Sequence, residues 1–245
     1  MKRILTLLLL LLISCTAIAE DVSPALEPPA IKSEYILGEY DENLVAVKER
    51  LHALGYYSDA YVKDRSLSCY YNITLYSRIR LFQIFNSLPV TGCLDASTVS
   101  LLFSEKAQSE EAFFSQEIDD IPDYLGVVTS NAANYSSFDE GFALRPKVKN
   151  WFPDKKVVAY EVAFIPYNAW HEKMENFVYS DKVTSTTIIK PGTEQYSAKC
   201  IFINQEEMFD VLAGVTRFRM DDGTIINVPE DKVVYHSWRA PFTAQ

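Results

Sequence analysis

The sequence of 245 residues predicts a multidomain α and β chain, a small three-helix domain followed by a C-terminal antiparallel β-sandwich. Two changes of period carry that expectation. Between about residues 43 and 103 apolar residues recur at intervals of three and four, the stripe of amphipathic helices, whereas beyond residue 157 they alternate with period two, as in half-buried strands. The third observation is turn chemistry: Asp221-Asp222-Gly223 stands between TRFRM and TIINV, and glycine readily takes the positive φ that a tight hairpin requires.

In chain order, residues 1–19 read as a secretory leader: Met1-Lys2-Arg3 is a positive start, Ile4 to Ile13 is apolar apart from Thr6, and Ala17-Ile18-Ala19 offers small residues for cleavage. A second reading stays open, in which Leu12-Ile13-Ser14-Cys15 is a lipobox and Cys15 a lipid-anchored first residue. Neither the leader nor any later run reaches the ~20 apolar residues of a membrane span, so no transmembrane segment is expected after cleavage. Loss of the leader leaves 226 residues with 21 Lys and Arg against 33 Asp and Glu, a net charge of −12 that argues against nucleic acid as partner. Cys69, Cys93 and Cys200 remain, so at most one intrachain disulfide can form.

Residues 20–39 are rich in proline and acids and read as a tether. From 40 to 106 three helices are expected: Leu44, Val47, Leu51 and Leu54 form one stripe, stopped by Gly55; Leu75, Ile79, Phe82 and Phe85 form the second; Asp95 caps the third, with Val99, Leu102 and Phe103 inward. Residues 107–138, with EKAQSEE across their start and EIDDIPD within, read as an acidic linker. In 139–245, Val158, Tyr160, Val162 and Phe164 alternate with smaller or polar residues, as do Tyr196, Ala198, Cys200 and Phe202, and Pro191-Gly192 marks a further turn. Five to seven short strands at this spacing suggest a sandwich of immunoglobulin-like kind.

The runs VKERLHALGYY and RIRLFQIFNSLPVTGCLDASTVSLLFS resemble the small three-helix peptidoglycan-binding domain found beside many bacterial wall hydrolases. The resemblance rests on Leu54-Gly55-Tyr56, Phe82-Gln83, and Thr91-Gly92 followed by Asp95 and Thr98, and it covers about residues 40–106. LPVTG at 88–92 is therefore read as a turn rather than a sortase signal, since 153 residues follow Gly92. Where the family pattern has Asp-Gly-x-Tyr-Gly, this chain has Ser68-Cys69-Tyr70-Tyr71-Asn72 within an insertion, with Asn72 replacing glycine because it tolerates left-handed backbone. The family fold would bring Cys69 and Cys93 near each other, making them a disulfide candidate beside the alternative of two thiols. More weakly, VKNWFPDKKVVAYEVAFIPYNAWHEKM and GVTRFRMDDGTI resemble a β-sandwich accessory module of secreted Gram-positive proteins, which implies an extracellular domain without catalysis.

Only His52, His171 and His236 could serve as imidazole bases, Cys200 alternates with core residues, and the Ser-x-Gly-Cys spelling of an L,D-transpeptidase is missing. His171-Glu172-Lys173-Met174-Glu175 ends in Glu where a zinc peptidase has His, so no metal and no cofactor is expected. The crowded tyrosines can fill a core or contact a sugar or peptide. As binders, Tyr56, Tyr57, Tyr70, Tyr71 and Asn72 would act with Arg78 on a stem-peptide carboxylate and with Gln83 as a hydrogen-bonding neighbour. The expectation is a non-catalytic, secreted cell-envelope protein that binds peptidoglycan and presents its sandwich to the wall or to another envelope protein. The alternatives are an extracellular interaction module that has lost wall binding, and an accessory to a wall hydrolase.

Overall fold

Leu44, Val47 and Leu51 turn one stripe inward and close α1 (Leu44–Ala53) in the computed structural model. Its end is set by Gly55 at φ 84°, where Tyr56 N–H reaches back to Leu51 O and Gly55 N–H to His52 O, the paired bonds that satisfy a helix's last carbonyls. The structure describes residues 27–57, 69–116, 121–138, 141–175, 181–203 and 208–239. The expected leader, Cys15, the first residues of the tether and Ser68 lie outside the described residues.

Helix α2 (Ile73–Phe85) starts at Asn72, whose Oδ1 accepts from Leu75 N–H at 2.9 Å. Asn72 is in extended backbone at φ −102°, so it serves as a helix cap and not as the left-handed substitute for glycine anticipated above. Helix α3 (Ala96–Leu102) is capped as expected, Asp95 Oδ1 accepting from Thr98 N–H at 2.8 Å. The three helices enclose a core of Leu44, Leu51, Tyr56, Phe82, Phe85 and Leu102 among others.

Two segments expected as connectors are structured. Ile31, Tyr35 and Leu37 of the expected tether pack on the helical core, Tyr35 stacking on Tyr71 at 5.4 Å. The 36–41 segment then pairs with 69–71 through Gly38 N–H to Tyr71 O, Tyr71 N–H to Glu39 O, and Asp41 N–H to Cys69 O. Of the expected linker, α4 (Glu110–Phe114) stacks Phe113 on Phe85 at 4.5 Å, and the Asn86 side chain bonds both N–H and O of Gln108. Its last residues form β1 (Val127–Phe138), which pairs with β2 (Gly141–Asn150). The apolar residues Phe113, Phe114, Ile121, Leu125, Val127 and Val128 supply the burial that the flanking acids conceal in the sequence.

The remaining strands are β3 (Val157–Asn168), β4 (Lys182–Ser185), β5 (Glu194–Tyr196), β6 (Cys200–Ile203), β7 (Met208–Met220), β8 (Ile225–Asn227) and β9 (His236–Arg239). In one antiparallel sheet β2 lies between β1 and the pair β5 and β6; in the other, β7 lies between β3, itself flanked by β4, and the pair β8 and β9. Phe142 and Phe202 of the first sheet share a core with Phe164, Val211 and Phe218 of the second. Tyr160, Val162 and Phe164 point inward as the alternation predicts, and the 221–223 turn joins β7 to β8 with Gly223 at φ 89°. The anticipated strand through Tyr196 and Phe202 is broken in two: Ser197 bonds Pro146 O instead, leaving Tyr196 exposed and Cys200 and Phe202 buried.

Helix α2 joins the two units. Thr74 Oγ1 meets Ser237 Oγ at 3.2 Å, and the Arg80 guanidinium donates to Asp231 O at 3.0 Å. Val234, on the segment leading into β9, belongs to the helical core. That segment lies so close to β7 that a methyl group on Gly214 would meet Val234 O at 2.8 Å. Behind it, Thr129 Oγ1 bonds Ala213 O at 3.1 Å and meets His236 Nδ1 at 3.0 Å, tying β1, β7 and β9 together.

His236 is fully buried, and burial first, then the positive charge of Arg78, holds its imidazole well below the usual range. The folded chain therefore keeps His236 neutral while the unfolded chain takes up a proton near pH 6.5. Because the unfolded state then binds more protons, stability falls as pH drops from about 6.5 to 5, by up to ~1.4 kcal/mol per pH unit for this one group. Urea unfolding across that window should show the slope, and His236→Asn should flatten it.

Candidate functional site

The residues anticipated as ligand contacts divide sharply. Gln83 is 0% exposed and holds the LPVTG turn from inside: its Oε1 accepts from Thr91 N–H at 3.0 Å and Gly92 N–H at 2.8 Å, while its Nε2 reaches Thr91 Oγ1, Cys93 O and Thr98 Oγ1. Every polar atom of the amide is used by the fold, so none is offered to a ligand. Gly92, at φ 75°, completes the turn; a methyl group there would overlap the Tyr76 ring.

Arg78 is 1% exposed, between the helical unit and the β unit, with the Tyr57 ring 6.0 Å from its guanidinium carbon. No carboxylate from solvent can reach it there, which corrects the role foreseen for it. Tyr56, Tyr57 and Tyr71 are buried as well: Tyr56 donates to Gln108 O at 2.8 Å, and Tyr71 donates to Gly92 O. Tyrosine is large enough to fill a small core, and its hydroxyl finds a backbone acceptor at the edge. Asn72 is occupied as the helix cap.

Cys69 and Cys93 are not bonded to each other in the structure. Cys69 interacts with the Tyr40 hydroxyl and the Lys48 ammonium, and Cys93 Sγ faces Thr91 O at 3.9 Å. Each sulfur is turned to its own surroundings. Cys200 is buried, and burial pushes its thiol up to about 12, so it is a core residue and a poor nucleophile. Among the described residues no three His, Cys, Asp or Glu side chains are grouped as metal ligands.

Tyr70 alone of the anticipated binders is substantially exposed, at 38%. Lys48 fixes its backbone by donating to Tyr70 O at 2.8 Å, a nearly buried ammonium whose pKa burial lowers to about 8. The Tyr70 ring stands edge-on to the exposed Tyr40 ring at 5.3 Å. It also lines a groove of about 480 Å³ with Ile36, Glu39, Trp170, His171 and Phe209, within the roughly 300–1,000 Å³ common for small-molecule sites. The first half of that wall comes from the helical unit and the second from the loop after β3 and the start of β7.

Trp170 is 81% exposed and Ile36 77%, so three of the large exposed apolar side chains of the described residues gather at one groove. The loop that carries Trp170 is tightly held. Asn168 Oδ1 accepts from Trp170 N–H and Glu172 N–H, both at 2.9 Å, and Asn168 Nδ2 donates to Glu172 Oε2 at 2.9 Å. His171 takes the left-handed backbone at φ 62°, a cost that asparagine-centred turns absorb. Its ring meets Phe209 edge-on and approaches Gly38, where a methyl group would come within 3.3 Å. Across the groove, Glu39 binds Lys32 at 2.5 Å and accepts from Ile36 N–H at 3.1 Å; these bonds hold its carboxyl below the usual carboxylate range.

Sequence reasoning missed Trp170, weighing its neighbours at 171–175 only as an incomplete zinc-site spelling. The available signal was an asparagine followed two residues on by a tryptophan in a polar turn.

With that geometry in view, comparison with known proteins gives one family: residues 40–102 match the family described as "putative peptidoglycan binding domain". The match contains α1, α2, α3 and Tyr70. No curated protein matches the chain. A solved structure that matches is the penta-heme cytochrome c552 from Thermochromatium tepidum, at 8% identity and a TM-score of 0.28; the match covers 47% of this chain and 40% of that one. That likeness carries no argument about fold or function.

Gln83→Leu keeps the volume but strands the Thr91 and Gly92 amides and the Thr98 hydroxyl. It should lower stability by about 2–4 kcal/mol in chemical unfolding. Tyr70→Ala, at an exposed position, should change it by no more than about 1 kcal/mol.

Proposed function

We propose that this chain is a non-catalytic, secreted cell-envelope protein that binds peptidoglycan through the exposed aromatic face of its helical unit. The observation that carries the reading is the family match over residues 40–102 together with Tyr70, a residue of that matched region whose ring opens onto an aromatic groove. Tyr40 supports it from the side, and Lys48 fixes its backbone from beneath. Rigid rings presented on a fixed backbone bind at low ordering cost, which suits repeated, reversible contacts with a polymer.

The leader reading of residues 1–19 supports export, and the acidic charge supports a target other than nucleic acid. The β unit then supplies the second wall of the groove and a surface for another envelope protein. Lipid attachment at Cys15 is the alternative mode of retention. Absence of catalysis is supported by the placement of the reactive groups: His236 and Cys200 are buried apart from the groove, and Glu172, beside His171, is engaged by Asn168.

A second reading is favoured by the burial of Arg78 and Gln83: the helical unit has become an interaction module with no affinity for the wall. Co-sedimentation decides between them. The chain from Glu20 onward should pellet with purified peptidoglycan at low and at moderate salt. Tyr70→Ala should weaken this by about five- to ten-fold, the loss of one aromatic contact. A chain that stays in the supernatant at both salt concentrations is the interaction module.

A further inference from the structure

Trp170 is the most exposed large apolar side chain among the described residues, yet its turn is held by three side-chain hydrogen bonds of Asn168. Solvent exposure of an indole costs favourable burial, and three side-chain hydrogen bonds from one asparagine do nothing to hide it. They fix the backbone from which the indole projects. Trp170 lines the groove that Tyr70 enters from the helical unit.

Charge narrows what the groove can take. Among the described residues that line it there is no lysine or arginine, and its carboxylate, Glu39, is kept ionised by Lys32. The nearest buried guanidinium, Arg78, is shut away in the interface. A stem peptide, with its free carboxylates, would find Lys32 already engaged by Glu39 and no lysine or arginine among the described lining residues. A neutral N-acetylated pyranose meets no such penalty: one face of the ring is apolar C–H that lies on an indole or phenol, and its hydroxyl and acetamido groups bond to carboxylate and imidazole at the edge.

We propose that the groove between Tyr70 and Trp170 is a saccharide site, formed jointly by the helical and β units, that binds the β-linked N-acetylglucosamine-type glycan of the wall rather than its peptides. Trp170 and Tyr70 are the two stacking faces, Glu39 and His171 the polar edge, and Asn168 the positioning residue that sets the backbone carrying the indole. The inference rests on the peptidoglycan-binding reading and specifies its ligand.

The test uses the chain from Glu20 onward with chitotetraose, a neutral N-acetylglucosamine oligomer, and separately with a synthetic stem pentapeptide, each titrated by calorimetry and tryptophan fluorescence. Chitotetraose should bind saturably, Trp170→Ala should weaken it by at least about ten-fold, and Trp170→Phe should retain part of the affinity. Asn168→Ala should weaken it while the protein stays folded, with stability lowered by the loss of the turn's hydrogen bonds. An exposed residue such as Trp170 can be removed without unfolding the protein, so lost binding is not lost fold. Sedimentation with peptidoglycan whose peptides have been removed by an amidase separates the wall glycan from chitin as the source. Binding to the pentapeptide but not to chitotetraose, or full affinity in Trp170→Ala, overturns the saccharide site while leaving wall binding intact. Failure to sediment with whole peptidoglycan overturns the function itself.

Discussion

Burial of α2 on two faces is the constraint on which the rest of the architecture depends, because eleven of its thirteen residues are buried and one pair of short helices cannot cover that much surface. Helices α1 and α4 cover the side carrying Ile79, Phe82 and Phe85, with Phe113 stacked on Phe85. The opposite side carries Thr74 and Arg78, one turn apart; Thr74 bonds Ser237 and Arg78 acts on His236. The β unit is therefore the second half of the helix's surroundings. An interface that buries a guanidinium, an imidazole and two hydroxyls gains little from polarity alone, but it fixes one orientation of the helix on β9, since a shift would strand those groups.

That constraint explains which parts of the fold the sequence disclosed. Stripes that face one core, such as Leu44, Val47 and Leu51, are plain at a period of three to four. The second face of α2 was disguised: Thr74, Ser77 and Arg78 look like a solvent side, and only Ile73, Leu81 and Ile84, off the main stripe, betray that the helix is covered all round. Strand β1 was hidden for a related reason. Its sequence VVTSNAANYSSF concentrates apolar residues at the start, so the period-two signal fades after Val128 and the preceding acids suggest a linker.

The site was less legible than the fold, and tyrosine is the cause. A phenol serves a core and a binding face equally well, so a cluster of tyrosines cannot be divided by composition; only the backbone path separates Tyr71, turned under the 91–93 turn, from its neighbour Tyr70, turned outward. Along an extended segment adjacent residues face opposite ways, and the pairing of 69–71 with 39–41 imposes that alternation here. Gln83 was legible as important but not as structural, because a buried amide that orders a turn and an exposed amide that meets a ligand have the same spelling. Trp170 required the opposite inference, from a polar loop to an ordered aromatic.

The position of the groove ties its existence to the α2 interface. Its walls come from residues 36–39, 70 and 72 on one side and 169–171 and 209 on the other, and the two sides are held at their spacing by the packing of α2 on β9 and by the approach of His171 to Gly38. A ligand that touches both walls binds only the docked arrangement, so its free energy of binding adds to that of the interface by mass action. Conversely, any change that loosens α2 from β9 removes one wall from the other and weakens the ligand without touching it. The buried polar groups beneath the helix thus belong to the energetics of the groove, although none of them lines it.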